Sequence, residues 1–213
     1  AVTASRGVAG FAMSCAVMLT AFQMYLHFTV YTNPIQQRYI IRILLMVPIY
    51  AIDSFMALLA FKYGTIIGLV RDTYEAYVIY MFFALLMNYL DGEDNVIHLW
   101  QTKTSGKMKH LFPFTCIIPP FNLNYTTLTV WKVCLVQYMI LNPLLTLITI
   151  PLYFTGGYEE GSFSPGNSYV YFAMVRFVSV TLAFTSLVYF FFATKEFLAP
   201  HKPLAKFAAI KTV

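Results

Sequence analysis

With 213 residues, 59% of them hydrophobic and only 11% charged, and with a mean hydropathy of +0.67, the chain has too little charge to cover a water-soluble domain of its size. Its formal net charge of +5 comes from 14 Lys and Arg against 9 Asp and Glu, placed between long apolar blocks. That placement fits the wet edges of a membrane protein rather than a nucleic-acid-binding face, so an all-helical bundle in contact with membrane lipids is expected, with no nucleic acid as partner.

Each apolar block is about the twenty residues that a helix needs to cross a ~30 Å hydrocarbon layer. The first span is predicted over 7–30; it ends without a small-residue cleavage signature and reads as a retained helix, not a signal peptide. A polar turn around Asn33-Pro34 leads to a second span over 42–61, interrupted by Pro48 and Asp53. A third follows over 69–90, a fourth over 130–152 with Pro143 inside it, and a fifth over 168–192. Between the third and fourth, residues 91–129 form the long polar connection, read as a loop on the membrane surface because Gly106, Pro113, Pro119 and Pro120 oppose a helix. Residues 195–207 mix basic side chains with Phe197, Leu198, Leu204 and Phe207, as an interfacial segment does. A new apolar run begins at Leu204, so the sequence reads as part of a longer protein.

Five spans sort the basic residues onto two sides. Arg38, Arg42, Lys103, Lys107, Lys109, Lys132, Lys195, Lys202, Lys206 and Lys211 fall on one; Arg6, Lys62 and Arg71 fall on the other, with Glu159 and Glu160. The positive-inside tendency makes the first side cytoplasmic and puts the N-terminus outside. Asn124-Tyr125-Thr126 has the form of an N-glycosylation acceptor, but this topology leaves it in the cytoplasm and unmodified.

Charges inside spans are costly unless paired or wetted, so they are the candidate site. Asp53, Glu75 and Arg176 fall roughly 9 to 12 Å below the outer surface at 1.5 Å per residue, and Asn142-Pro143 falls at a similar depth. Pro143 also leaves one backbone carbonyl without its helical donor. The layer reads either as a cavity or as a buried ion-pair network. The Arg176 guanidinium stays protonated and must find an acceptor, for which an ion pair with Asp53 or Glu75 is expected. Arg71 and Glu75, spaced i to i+4, offer an alternative pair that would leave Arg176 to Asp53. Asp53 is expected to face the interior together with Ile49, Tyr50, Met56 and Ala57.

Other signals are weaker. Gly64-x-x-x-Gly68 at a membrane edge reads as a turn before it reads as a dimer motif. Cys15, Cys116 and Cys134 are too few for a disulfide framework, and Cys116 is either a palmitoylation site or a plain thiol. His27, His98, His110 and His201 lack the spacing that puts two ligands on one helix face, so no metal site and no cofactor are expected. No nucleophile motif or Gly-rich phosphate cradle points to an enzyme.

One long pattern remains. His27-x-x-x-Tyr31-Thr32-Asn33-Pro34-x-Gln36-Gln37-Arg38-Tyr39-Ile40-Ile41-Arg42-Ile43, continuing through Pro48-Ile49-Tyr50 to Asp53-Ser54, resembles the signature of the organic solute transporter alpha-subunit family and its transmembrane-protein-184 relatives. Arg71-Asp72-x-Tyr74-Glu75-Ala76-Tyr77, Pro113-Phe114-x-Cys116, Gln137-Tyr138 and Lys202-Pro203-x-x-Lys206-Phe207 follow in the family's order. The resemblance implies a seven-span protein of which this chain holds the first five spans. It also implies facilitated movement of steroid-like organic anions together with a small single-span beta-type subunit. Beside such a carrier, a seven-helix receptor or scaffold and a structural subunit of a larger membrane assembly are the competing readings.

Overall fold

The computed structural model describes residues 2–29, 33–60, 63–103, 107–108 and 120–198, and helix dominates them. In hydrocarbon every backbone N–H and C=O must be met within the chain, which the apolar blocks achieve by coiling. Helix α1 runs Val2–Thr29, and α2 (Pro34–Leu44) is followed after one residue by α3 (Met46–Leu59). Helix α2 begins well before the expected start at 42. Asn33 caps it, its side-chain oxygen accepting from the Gln36 amide at 3.5 Å, and Pro34 occupies the first turn, where its missing N–H is harmless. Pro48 cannot donate back to the preceding turn, and the regular helix is interrupted at Leu45. The Leu45 and Ile49 amides still donate to the carbonyls of Ile41 and Leu45, so residues 34–59 form one long segment.

Helix α4 (Gly64–Tyr89) is the hub, packing against α2, α3, α6 (Tyr125–Phe154) and α7 (Tyr169–Leu198). Its Ala76, Val78, Phe82, Phe83, Leu85 and Leu86 are at most 3% exposed. Four segments, 5–29, 34–59, 125–154 and 169–198, are long and apolar enough to cross a membrane. Helix α4 is as long, but Arg71, Asp72 and Glu75 make it less apolar, and its neighbours cover it instead. Helix α1 is the opposite case. It packs chiefly on α3 and less on α2, and leaves Phe11, Phe22 and Tyr25 bare, as a helix facing lipid or a neighbouring chain would.

Residues 91–129 are not one polar loop. Asp91 and Gly92, at φ of 57° and 99°, end α4 in left-handed backbone, and α5 (Glu93–Lys103) follows at once. Glu93 and Asp94 suit the positive end of α5, and Lys132 of α6 forms an ion pair with Glu93. Trp100 then anchors α5 to the bundle: it is fully buried, donates to the Ala193 carbonyl of α7 at 3.1 Å, and meets Trp131 edge-on at 5.9 Å. Burying an indole removes on the order of 200 Å² from water, about 5 kcal/mol as an upper bound. A two-residue antiparallel pairing joins β1 (Lys107–Met108) to β2 (Phe121–Asn122). Helix α6 starts at Tyr125 rather than 130 because Asn124 caps it, its side-chain oxygen accepting from the Thr127 amide at 2.9 Å and the Thr127 hydroxyl at 3.0 Å.

The α6–α7 connection, 155–168, is a folded cover. Asn167 Oδ1 accepts from the amides of Glu159 and Tyr169, and Glu160 Oε2 accepts from the Thr65 hydroxyl at 2.7 Å, tying the cover to the start of α4. Gly64 lies in the first turn of α4, where an added Cβ would meet Ala57 at 3.9 Å, an ordinary contact; it marks the α3–α4 turn. Lys195 to Leu198 continue α7, and the rest of the expected interfacial segment lies outside the described residues, as do Cys116, Lys202 and Lys206.

Candidate functional site

Helices α3 and α4 are joined by a short turn and run back along each other. Asp53 and Arg71 each lie about two turns from that junction, so antiparallel packing sets them level. Asp53 is 6% exposed, and its Oδ2 accepts from Arg71 Nη1 at 3.0 Å. Its Oδ1 is buried with no hydrogen-bond partner. Arg71 turns its other edge to Asp72, with Nη2 and Nε at 2.9 and 3.1 Å from Oδ1, and its guanidinium lies 5.3 Å from the centre of the Tyr50 ring. Tyr50, one turn before Asp53, donates its hydroxyl to Glu75 Oε2 at 2.6 Å. Of the neighbours expected on the Asp53 face, Ile49, Tyr50 and Ala57 are half-buried, but Met56 is 43% exposed and points away.

Helix α6 supplies the next wall. Asn142 and Thr146, one turn apart, face α4: the Asn142 amide donates to the Asp72 carbonyl at 2.7 Å, and the Thr146 hydroxyl lies 3.1 Å from that of Thr73. Arg176 of α7 donates Nη2 to Thr146 Oγ1 at 3.2 Å, while its Nε is buried without a partner. Above it, Tyr158 of the 155–168 cover is 7% exposed against Tyr169 and Phe172. Burial raises the Tyr158 phenol above its ordinary value, the positive charge of Arg176 working against that rise.

The expected pairing of Arg176 with Asp53 or Glu75 is therefore not what forms. Arg71 takes Asp53 and Asp72, the i to i+4 pair of Arg71 with Glu75 gives way to a Tyr50–Glu75 bond, and Arg176 has no carboxylate in ion-pair range among the described residues. The reason is topological. Helix α3 packs on α1, α2 and α4, whereas α7 packs on α6 and α4, so α4 stands between Asp53 and Arg176. Spacing along a span sets a residue's depth but not the side it faces.

The pattern residues fall in two places. Tyr50, Arg71, Asp72 and Glu75 build the layer just described. Tyr74 donates its hydroxyl to the Arg42 carbonyl at 2.6 Å, Arg42 Nη1 lies 3.6 Å from Met81 Sδ, and the Tyr74 and Tyr77 rings are 5.8 Å apart, pinning α2 to α4. Gln37 is buried on α2, Pro34 and Arg38 are exposed, His27 is half-buried on α1, and Gln137 donates to Ser179 Oγ at 2.9 Å between α6 and α7. Sequence reasoning named Asp72 in the pattern but did not count it in the polar layer, and it missed Thr73 and Thr146. Asp72 had a signal in its adjacency to Arg71; the two threonines had none, since a lone hydroxyl in a span usually bonds its own helix.

A family model described as organic solute transporter Ostalpha matches residues 6–213. Protein LAZ1 homolog 1 of Arabidopsis thaliana is 34% identical over 212 residues, covering 93% of this chain and 44% of that protein. The chain thus spans less than half the length of this relative. No solved structure matches it.

Proposed function

Because the chain belongs to the organic solute transporter Ostalpha family, we propose that its helices form the membrane core of a facilitative carrier for amphipathic organic solutes, steroid-like and anionic. Arg176 carries this reading. A guanidinium within a span needs an acceptor, and here one edge meets only a hydroxyl while Nε meets nothing. The carboxylate or sulfate of a solute would complete it, with apolar side chains of the bundle holding the solute's body. In this reading the N-terminus is outside and the layer opens to the outer half of a plasma or internal membrane, and a single-span beta-type subunit assists.

The test is uptake of a labelled sterol sulfate into proteoliposomes carrying the full-length protein, with and without such a partner. Arg176→Gln is expected to slow uptake of the sulfate at least tenfold and to spare the uncharged sterol. Uptake no faster than in protein-free liposomes under both conditions would refute a carrier. Maleimide labelling of Glu159→Cys, but not Asp94→Cys, from outside intact cells is expected for this orientation, and the reverse pattern would overturn it. The competing reading, a non-transporting structural subunit, draws on the bare apolar face of α1, which suits a neighbouring helix as well as lipid.

A further inference from the structure

At the end of α4 away from Arg71, a cavity of about 520 Å³ opens between α2, α4, the start of α5 and α6. That volume lies within the roughly 300–1,000 Å³ typical of small-molecule sites. Three rings line it, Tyr39 from α2 and Tyr80 and Phe83 from α4. Its charged lining residues are Asp91, Glu93 and Lys132. Lys132 is held by Glu93, which leaves the Asp91 carboxylate in excess; Asp91 is exposed and has no ion pair among the described residues.

An aromatic wall with an uncompensated carboxylate at its rim selects a particular chemistry. Ring faces carry negative potential and attract cations, most of all those whose charge is spread over alkyl groups and weakly hydrated. An anion would meet Asp91 instead, and the one lysine is already engaged. The position of Asp91 is informative too. It is the one non-glycine residue with positive φ among the described residues, where Asn or Gly fits the backbone equally well. The left-handed turn therefore does not require the charge.

We propose that this cavity binds an alkylated ammonium group, with Asp91 as counter-ion and Tyr39, Tyr80 and Phe83 as its walls. The ammonium could be carried by a choline lipid headgroup or by a free amphipathic amine; the chemistry is shared. The site differs in charge preference and location from the Arg176 layer, and its binding does not depend on the carrier reading.

Equilibrium dialysis of labelled benzyltrimethylammonium against the full-length protein in nanodiscs tests it. Asp91→Asn keeps the positive φ and removes the charge, so it is expected to fold and to weaken binding about tenfold. Tyr39→Leu keeps bulk and removes a ring, and should weaken it several-fold. The uncharged analogue with carbon in place of nitrogen should bind at least tenfold more weakly than the cation. Weaker probe binding in phosphatidylcholine than in neutral glycolipid nanodiscs would identify the lipid headgroup as occupant, and equal binding a free amine. The proposal is overturned if the carbon analogue binds as well as the cation, or if a folded Asp91→Asn protein binds the probe as the parent does.

Discussion

Replacing Arg71 with Gln should be among the most damaging single changes in the polar layer. The Asp53 side chain is 7% exposed, its Oδ1 has no partner, and the guanidinium 3.0 Å from Oδ2 is the cation that balances it. Removing one partner of a buried pair costs about 3 to 5 kcal/mol, because the remaining charge is stranded. The Arg71 side chain is 34% exposed, so water screens part of this and the lower end, about 3 kcal/mol, applies. The reverse change is milder. In Asp53→Asn, Arg71 keeps Asp72 and an amide oxygen still accepts, so roughly 1.5 kcal/mol is lost. The double variant no longer strands Asp53; Asp72, whose side chain is 39% exposed, loses Arg71 in both Arg71→Gln proteins and is left to water, so the double variant should lie between the two singles, giving a coupling of about 2 to 3 kcal/mol. At about 2 to 4 °C per kcal/mol, Arg71→Gln should melt about 6 to 12 °C below the parent in detergent at fixed scan rate, and the double variant should recover up to about half of that. Additive single effects in that cycle would refute the ion pair as the feature that binds α3 to α4.

Three further outcomes follow from other contacts. Arg176→Gln should change the melting temperature by no more than about 1 kcal/mol's worth, since it removes one hydrogen bond to Thr146, and its cycle with Asp53→Asn should be additive; a coupling above that would restore the direct pair. Trp100→Ala should cost about 3 to 5 kcal/mol and expose α5 to trypsin, whereas Trp100→Phe should lose only the bond to the Ala193 carbonyl, about 1 kcal/mol; unchanged protection in the alanine variant would contradict the docking of α5. Asn124→Ala should cost about 1 kcal/mol by uncapping α6, and the parent protein should show no glycosidase-sensitive shift on a gel, where a shift lost in Asn124→Ala would place that end of α6 in the lumen or outside the cell.

The apolar blocks made the long helices legible because a backbone in hydrocarbon has few alternatives to coiling. Their starts were less so. Gln36, Gln37 and Arg38 look like loop, yet Asn33 and Pro34 open a helix there whose buried face carries Gln37 and Ile43. Helix α5 was hidden because the prolines later in 91–129 coloured the reading of the whole stretch, while the start signal, Gly92 followed by Glu93 and Asp94, lay at its edge. In the polar layer, counting from span ends set Asp53, Glu75, Asn142 and Arg176 near one depth and left Arg71 nearer the edge. Which acid meets which base depended on the order of helices around α4, and nothing in a linear count of residues encodes that order.

Helix α4 has a consequence for how the protein is made. A helix carrying Arg71, Asp72 and Glu75 is poorly suited to partition into lipid alone, each such charge opposing insertion by about 2.5 to 3.5 kcal/mol near a span's centre. Tyr50 and Asp53 leave the ribosome before α4 and can shelter two of these groups at once, but Asn142 and Thr146, which face its other side, are synthesised only with α6. The nascent hub must wait, held by the insertion machinery, until downstream helices arrive to close around it. In a chain ending at residue 103, a cysteine placed midway along α4 should therefore react with a membrane-impermeant maleimide, and in a chain continued through residue 198 it should not; equal protection at both lengths would show that α3 alone suffices as its escort.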